Sequence, residues 1–151
     1  MRYFIDMALH MIKLVVGIDD LDAFYDWQQH DVVDFQGQPA NTVWTRYKPK
    51  RANEMLSSGG SIYRVIKNKI CCRQKLLGFE MVETKEKGTQ CLIYTETDLI
   101  QTYSTPKRPF QGWRYFEESA TPKDRGLYLG ENQREEIEPE LEKELLESGL
   151  L

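Results

Sequence analysis

Apolar residues in the first half of the chain occur in short groups separated by charged residues, prolines and glycines, a pattern that favours strands and short helices over long helices. Residues 10–18 are rich in β-branched apolar side chains and predict a buried strand. Asp19 or Asp20 follows directly and can cap a short helix with one apolar face. The pattern therefore predicts a strand and then a helix.

The chain continues in short elements as far as Phe116. Pro49 suits the first turn of a helix, and Gly59 and Gly60 suit its end. Asn68 tolerates the left-handed backbone conformation and predicts a tight turn between two strands. In order, the pattern predicts a loop over 30–41, a strand over 42–47, a helix over 49–56, strands over 61–67, 69–82 and 90–95, and a helical turn over 97–101.

These elements predict an α+β fold with five or six short, mostly antiparallel strands, two short helices and an acidic helical tail. The strands are expected to form a strongly curved sheet or a small barrel. Residues 1–116 then make one domain, of which 1–7 are an N-terminal extension, and residues 117–151 make an acidic, partly helical tail. Pro139 lies inside the helical pattern of the tail and predicts a break there.

Charge is strongly segregated along the chain. Residues 44–116 carry 14 Lys and Arg against 6 Asp and Glu, whereas residues 1–43 carry 2 against 7 and residues 117–151 carry 4 against 11. The net charge of −4 therefore hides a basic middle. Because local fields steer association, the expected partner is RNA or another polyanion, or an acidic protein.

The apolar runs near the N-terminus are too short for a membrane span or a signal peptide, so we expect a cytoplasmic protein with no membrane partner. The three cysteines have no Cys-x-x-Cys spacing, and adjacent Cys71 and Cys72 in a strand would point to opposite faces. The only histidines are His10 and His30. We therefore predict no disulfide, no metal site and no cofactor.

The basic middle also contains aromatic residues, and grooves that bind nucleic acid combine cations for phosphates with rings for bases. On the predicted strand 69–82, Lys69, Arg73 and Lys75 share one face. Such a surface would contact phosphates through its cations and stack bases on Tyr63. The cations are Arg46, Lys48, Lys50, Arg51, Lys67, Lys69, Arg73 and Lys75. The alternative is a solvated basic face that covers a core containing the aromatic rings.

Residues 106–115 form a second candidate site. Prolines stiffen this segment, and Arg108 and Arg114 have forked side chains suited to a phosphate or a carboxylate. Trp113 would serve as a stacking platform for a base. The alternative, which is compatible with the first, is a structural plug in which Phe110 and Trp113 close one end of the sheet.

Catalytic motifs are weak in this sequence. Gly-x-Ser-x-Gly is absent, and residues 57–61 follow a predicted helix and lack the Gly-Lys-Ser/Thr ending of a phosphate-binding loop. A catalytic cysteine–histidine pair would have to use His10 or His30, but no local sequence signature supports such a pair. We therefore assign no catalytic residue.

From about Leu9 to Phe116 the chain resembles a bacterial family known as domain of unknown function 1489. The resemblance is carried by residues 9–14 (LHMIKL), 49–52 (PKRA), 59–67 (GGSIYRVIK), 73–74 (RQ) and 108–115 (RPFQGWRY). The chain departs from the family at Arg64, where an aromatic residue is expected, and at Asn68, where glycine is expected. The resemblance implies relatedness but no established activity.

The order of strand, helix, Gly-Gly, strand and basic hairpin also resembles, at the level of fold, the small PUA-like barrels of pseudouridine synthases and archaeosine transglycosylases. That resemblance implies binding of RNA or modified bases in a cleft beside the barrel.

Three functions follow as hypotheses. The first is a small module that binds nucleic acid, above all RNA, through its basic face. The second is a protein-interaction module in which that face meets an acidic partner or the chain's own tail. The third is a small enzyme that acts on an anionic substrate, with Arg108 and Arg114 as clamps.

Overall fold

The computed structural model describes residues 7–130. The predicted extension, apart from Met7, and the acidic segment 131–151 lie outside the described residues. The elements in chain order are β1 (Leu9–Leu14), α1 (Leu21–His30), β2 (Val33–Phe35), β3 (Gln38–Thr45), α2 (Ala52–Ser57), β4 (Ser61–Ile66), β5 (Lys69–Thr84), β6 (Gly88–Thr95), β7 (Ile100–Pro106), β8 (Trp113–Glu117), a 3-10 turn (Glu118–Ala120) and β9 (Asp124–Leu127).

The described strands form one mixed sheet in the order β2-β3-β6-β5-β4-β1-β8, with β7 beside β5 and β9 beside β7. β1 and β4 run parallel, and the other neighbouring pairs are antiparallel. The predicted combination of a mostly antiparallel sheet and two short helices is confirmed. The predicted five or six strands are too few, because residues 7–130 form nine. The barrel alternative is wrong for residues 7–130, because β2 and β8 end the order without pairing with each other.

β5 organises the sheet. It is 16 residues long, and its first half pairs with β4 and β7 while its second half pairs with β6. At about 3.3 Å per residue, such a strand extends for roughly 50 Å. Side chains at the two ends of β5 are therefore far apart. Cations that the sequence places in one basic segment can thus be widely separated in space.

A β-bulge at Cys71 changes which side chains of β5 share a face. Cys71 is skipped in the pairing with β4, so the alternation of side chains shifts by one residue there. Arg73 pairs with Tyr63 and shares its face, whereas Lys69 pairs with Ile66 and lies on the opposite face. The predicted single cationic face on this strand is therefore wrong. The prediction assumed that side chains alternate strictly between the two faces, and the extra residue of the bulge interrupts that alternation.

Several local signals are confirmed. Lys67 and Asn68 have φ values of 48° and 65°, as a two-residue hairpin turn requires. Asp20 caps α1, since its Oδ1 accepts the Ala23 N–H at 2.8 Å. Gly59, with φ of 76°, follows the end of α2 as the predicted glycine stop.

Three stretches differ from the prediction. Residues 33–45 form the β2–β3 hairpin where the pattern predicts a loop as far as residue 41, and its turn places Gln36 and Gly37 at positive φ. The predicted helical turn over 97–101 is instead the entry to β7. Residues 117–130, which charge alone places in the tail, supply the 3-10 turn and β9, and β9 pairs with β7.

The core divides into three clusters. The first contains Met55 of α2 and lies beneath that helix, the second surrounds Tyr63 and Phe116 of β4 and β8, and the third contains Phe24 of α1. Each helix thus covers one cluster, while the second cluster lies at the face that carries Arg73. None of the helices within residues 7–130 is long and apolar enough to cross a membrane.

Candidate functional site

The cations predicted as phosphate or anion ligands lie in four places instead of one. Arg46, Lys48, Lys50 and Arg51 occupy the loop from β3 to α2, Lys67 and Lys69 the β4–β5 turn, Arg73 and Lys75 the middle of β5, and Arg108 and Arg114 the connection from β7 into β8. Trp44, next to the first group, pairs with Leu92 of β6, which in turn pairs with Glu80 of β5. Glu80 and Lys69 are separated by roughly 35 Å along β5. The predicted set therefore does not form one groove.

The first group is open to solvent. Arg46, Lys48 and Lys50 are exposed, and no carboxylate of residues 7–130 lies within ion-pair distance of them. Arg51 differs, because its Nη2 lies 2.6 Å from Glu54 Oε2. Three cations of this loop are thus available to a partner.

Two exposed rings flank these cations. Trp44, near the end of β3, is 47% exposed, and Tyr47, in the loop, is 66% exposed. A cavity of about 380 Å³ lies beside Trp44 and is also lined by Lys85, Glu86 and Lys87 of the β5–β6 turn. We call the loop residues Trp44, Arg46, Tyr47, Lys48 and Lys50, together with Lys85 and Lys87, the aromatic–basic surface. Within this set, Lys48 lines a separate cavity with Asp34 and Glu80.

Of the two rings that the sequence favoured for stacking, Tyr63 is buried and Trp113 is half-buried. Tyr63 is 3% exposed, and His10 and Phe116 pack edge-on against it with ring centroids 5.1 and 5.2 Å away. Tyr63 therefore offers no face to a base, which corrects that prediction. Trp113 packs against the cluster beneath α2 and makes an edge contact with Tyr115 at 4.8 Å, the geometry of the plug alternative.

The β7–β8 connection lies beside the β4–β5 turn, since Lys107 N–H donates to the Asn68 carbonyl at 2.8 Å. Phe110 is half-buried, with Lys107 Nζ 5.9 Å and the Arg114 guanidinium 5.3 Å from its ring centre. Lys67 approaches Asp19 at 3.9 Å. This second basic region, made of Lys67, Lys69, Lys107, Arg108 and Arg114, carries charge, but its ring is half-buried and lies beside two cations of the chain. Tyr47 is more exposed, with the Arg46 guanidinium 5.2 Å from its ring centre.

Arg73 faces a cavity of about 410 Å³, which we call the polar pocket. Five elements contribute to it: β1, β4, β5, the 3-10 turn and β9. Its polar side chains are His10, Tyr63, Arg73, Glu118, Thr121, Lys123 and Asp124. The pocket thus combines residues from both ends of the described chain on one side of the sheet.

His10 anchors Glu118 at this pocket. The buried imidazole accepts the Ser61 backbone N–H at Nδ1, 2.9 Å away, so its ring proton lies on Nε2. Nε2 then donates to Glu118 Oε2 at 2.5 Å. Both ring nitrogens of His10 therefore make hydrogen bonds. The Glu118 side chain is 44% exposed, and its carboxylate is held on its buried side by His10.

Arg73 fixes the carboxylate of Asp124 in the pocket, as His10 fixes that of Glu118. Its Nε and Nη2 donate to the two carboxylate oxygens at 2.9 and 2.6 Å, and its Nη1 donates to Ser61 Oγ at 2.8 Å. The hydrogen bonds to Asp124 raise the pKa of Arg73, while burial raises the pKa of the Tyr63 phenol. Arg73 already makes a bidentate interaction with Asp124. It therefore has no second pair of parallel donors with which to bind a phosphate.

No pattern in the sequence marks this pocket as a unit. His10 and Glu118 are 108 residues apart, and Arg73 and Asp124 are 51 apart. Charge patterning places Glu118 and Asp124 in a tail, apart from the domain that carries the other two. The one available signal is His10, a polar residue within an otherwise apolar strand pattern.

The cysteines also lie differently from the prediction. The bulge at Cys71 brings its Sγ to 3.9 Å from that of Cys72, whereas a regular strand would point them apart. The contact with Cys72 and the charge of Arg64 lower the pKa of Cys71. Within residues 7–130, no group of three or more His, Cys, Asp or Glu side chains is placed to hold a metal ion.

Comparison with known families gives a match over residues 11–151 to the family described as "Protein of unknown function (DUF1489)". Searches of curated proteins and of solved structures found no match. The similarity to PUA-like barrels is not confirmed by these comparisons. The family match extends beyond the resemblance in residues 9–116 and includes the acidic segment. The chain therefore belongs to the family of proteins of unknown function DUF1489.

Proposed function

We propose that this protein binds single-stranded RNA on the aromatic–basic surface. The observation that carries the proposal is the pair of exposed rings, Trp44 and Tyr47, beside Arg46, Lys48 and Lys50, which form no ion pair with a carboxylate of residues 7–130. Proteins that bind single strands combine such rings, on which bases stack, with cations that follow the backbone.

The spacing of the two rings fits this role. Three residues of chain reach about 10 Å at most, so Trp44 and Tyr47 lie within the reach of adjacent or next-adjacent nucleotides. The cavity beside Trp44 leaves room for a base, and Lys85 and Lys87 at its rim supply charge for the flanking phosphates. The ring of the second basic region, Phe110, is half-buried and lies beside two cations, whereas Trp44 and Tyr47 are exposed, which is why the proposal centres on the first region.

The ring substitution Trp44→Ala is expected to weaken binding of a ten-nucleotide oligouridylate about tenfold, because a base stacked on an aromatic ring contributes about 1–3 kcal/mol. Tyr47→Ala is expected to act in the same direction. Binding of the fluorescently labelled RNA to the full chain is measured by anisotropy at fixed salt concentration.

Trp27→Ala is the matched control, because Trp27 is 50% exposed but lies on α1 in the acidic first part of the chain. Its variant should bind as the wild type does. Equal affinities of the Trp44, Tyr47 and Trp27 variants would overturn the stacking role. An acidic protein partner would use the same cations without the rings, so the ring variants also separate these two functions.

The cations are tested by salt dependence. The triple variant Arg46→Gln, Lys48→Gln, Lys50→Gln should flatten the slope of log affinity against log salt by about 0.7 for each phosphate that the protein no longer neutralises. The matched control is the double variant Lys67→Gln, Lys69→Gln, whose exposed cations lie at the far end of β5. A flatter slope in the control but not in the triple variant would move the interface to the second basic region.

A further inference from the structure

We infer that the polar pocket is a second binding site, which takes the vicinal hydroxyl groups of a ribose, with Glu118 as the main acceptor. The sources of such a diol are a free ribonucleoside and the 3′ end of an RNA strand. For the free nucleoside the inference is independent of the aromatic–basic surface. For the RNA end it rests on the proposed RNA binding.

The charge of the pocket argues for a neutral ligand. Arg73 and Lys123 bring two positive charges and Glu118 and Asp124 two negative ones, while His10 accepts the Ser61 N–H and so is the neutral tautomer. Arg73 uses both arms of its fork on Asp124. The Arg73 guanidinium is therefore not available to pair with an anionic ligand. Hydroxyl groups can bind in this pocket through hydrogen bonds, without a net positive charge.

The two carboxylates are oriented before a ligand arrives. Glu118 is fixed by the buried His10, which donates to its Oε2. The Thr121 hydroxyl lies 3.4 Å from the same oxygen and donates to the Glu118 backbone carbonyl at 2.8 Å. The other oxygen, Oε1, makes no hydrogen bond within the described residues. Carboxylates bind ribose hydroxyls in this way in dinucleotide sites, where an acidic side chain accepts the 2′-OH.

Asp124 supplies a second fixed acceptor on the same pocket. Its carboxylate is clamped by Arg73 and its side chain remains 42% exposed. Glu118 and Asp124 line the same cavity as Arg73, so the two acceptors share one pocket. Such preorganisation lowers the cost of ordering the site when hydroxyl groups replace water.

The size of the cavity agrees with a single nucleoside. Its volume of about 410 Å³ falls in the range of small-molecule sites, about 300–1,000 Å³. Tyr63 forms part of the wall but is covered on its faces by His10 and Phe116, so recognition falls to the polar groups.

The test is an NMR titration of the full chain with adenosine, cytidine and uridine and with their 2′,3′-dideoxy counterparts. The backbone amides of Gly59, Ser61, Thr121 and Asp124 are expected to shift with at least one ribonucleoside. The matching dideoxynucleoside should bind at least tenfold more weakly. Glu118→Gln should lose at least tenfold in affinity for the ribonucleoside, while Glu117→Gln, which changes the adjacent exposed carboxylate, should not.

The sources of the diol are separated with two RNA decamers that differ only in a 3′-terminal ribose or dideoxyribose. A preference for the ribose end that Glu118→Gln abolishes assigns the pocket to RNA ends. Diol-selective nucleoside binding without that preference assigns it to free nucleosides. Equal binding of ribose and dideoxyribose in both arms, or shifts confined to other residues, overturns the inference. Nucleoside binding that survives Trp44→Ala keeps this result distinct from failure of the proposed RNA surface.

Discussion

Replacing Gly60 with alanine is expected to lower the free energy of unfolding by about 3 kcal/mol or more. A Cβ at this position would overlap the carbonyl oxygen of Leu9 and lie 3.0 Å from that of Met55. Both obstacles are backbone atoms and cannot rotate away. Gly60 is also held at both ends, since its N–H donates to Met55 at 2.8 Å and its carbonyl accepts from Leu76 at 3.0 Å. The end of α2 or the start of β1 must therefore move.

Gly59 provides the matched control for this prediction. Its φ is 76°, but a Cβ there would meet open space, so alanine should cost only the left-handed backbone, about 1–2 kcal/mol. Urea denaturation of both variants measures the difference. Because Leu9 precedes His10, the Gly60 variant should also displace the amide resonance of Ser61. Equal stability of the two variants would show that α2 does not approach β1 this closely.

The sequence predicts best where the signal is local. Asn68 fixes the β4–β5 turn because few residues adopt positive φ, and Asp20 fixes the start of α1 because its side chain satisfies an N–H of the first turn. Gly59 ends α2 for the same reason of backbone freedom. These elements need only neighbouring residues, so their positions could be derived without the rest of the fold.

Features that depend on distant partners could not be predicted. The bulge at Cys71 exists only in the pairing of β5 with β4 and β7, and it places Lys69 on the opposite face from Arg73. Likewise, Tyr63 and Trp44 look alike in the sequence, since each lies in a predicted strand between an apolar and a polar residue. Tyr63 is buried because His10 of β1 and Phe116 of β8 pack against its ring, and those contacts depend on the order of the strands.

The candidate sites divide in the same way. The loop cations of the aromatic–basic surface could be named from charge density alone, because a loop of lysines and arginines is exposed wherever it lies. The polar pocket could not, since His10, Arg73, Glu118 and Asp124 come from four separate segments. Only the antiparallel return of β8 along β1, and of β9 along β7, brings them together.

Arg64 is a charged residue inside an apolar cluster, and its cost to the fold can be measured. It is 5% exposed, its guanidinium donates to the Lys13 and Leu14 carbonyls at 3.2 and 3.1 Å, and it lies 5.3 Å from the ring centre of Phe24. No carboxylate of residues 7–130 lies within ion-pair distance. Burial lowers the pKa of Arg64 to about 10, so the group is still charged at neutral pH.

The sign of the pH dependence follows from these shifts. Burial, and then the charge of Arg64, also lowers the pKa of Lys13. Both groups bind their protons less tightly in the folded than in the unfolded chain. The free energy that they cost folding is therefore fully present at neutral pH and shrinks as the pH rises through their folded pKa values.

Arg64→Met is accordingly expected to raise the free energy of unfolding by about 2 kcal/mol at pH 7, because a buried charge without a counter-ion costs several kcal/mol and two hydrogen bonds to carbonyls offset only part of that. Arg64→Lys, the control, keeps the charge but loses the fork and should be less stable than the wild type. Urea denaturation at pH 7 and pH 9.5 measures both, and the advantage of the methionine variant should narrow at the higher pH. A methionine variant less stable than the wild type would show that the bonds to the Lys13 and Leu14 carbonyls outweigh desolvation, and that Arg64 is a clamp between β4 and the end of β1.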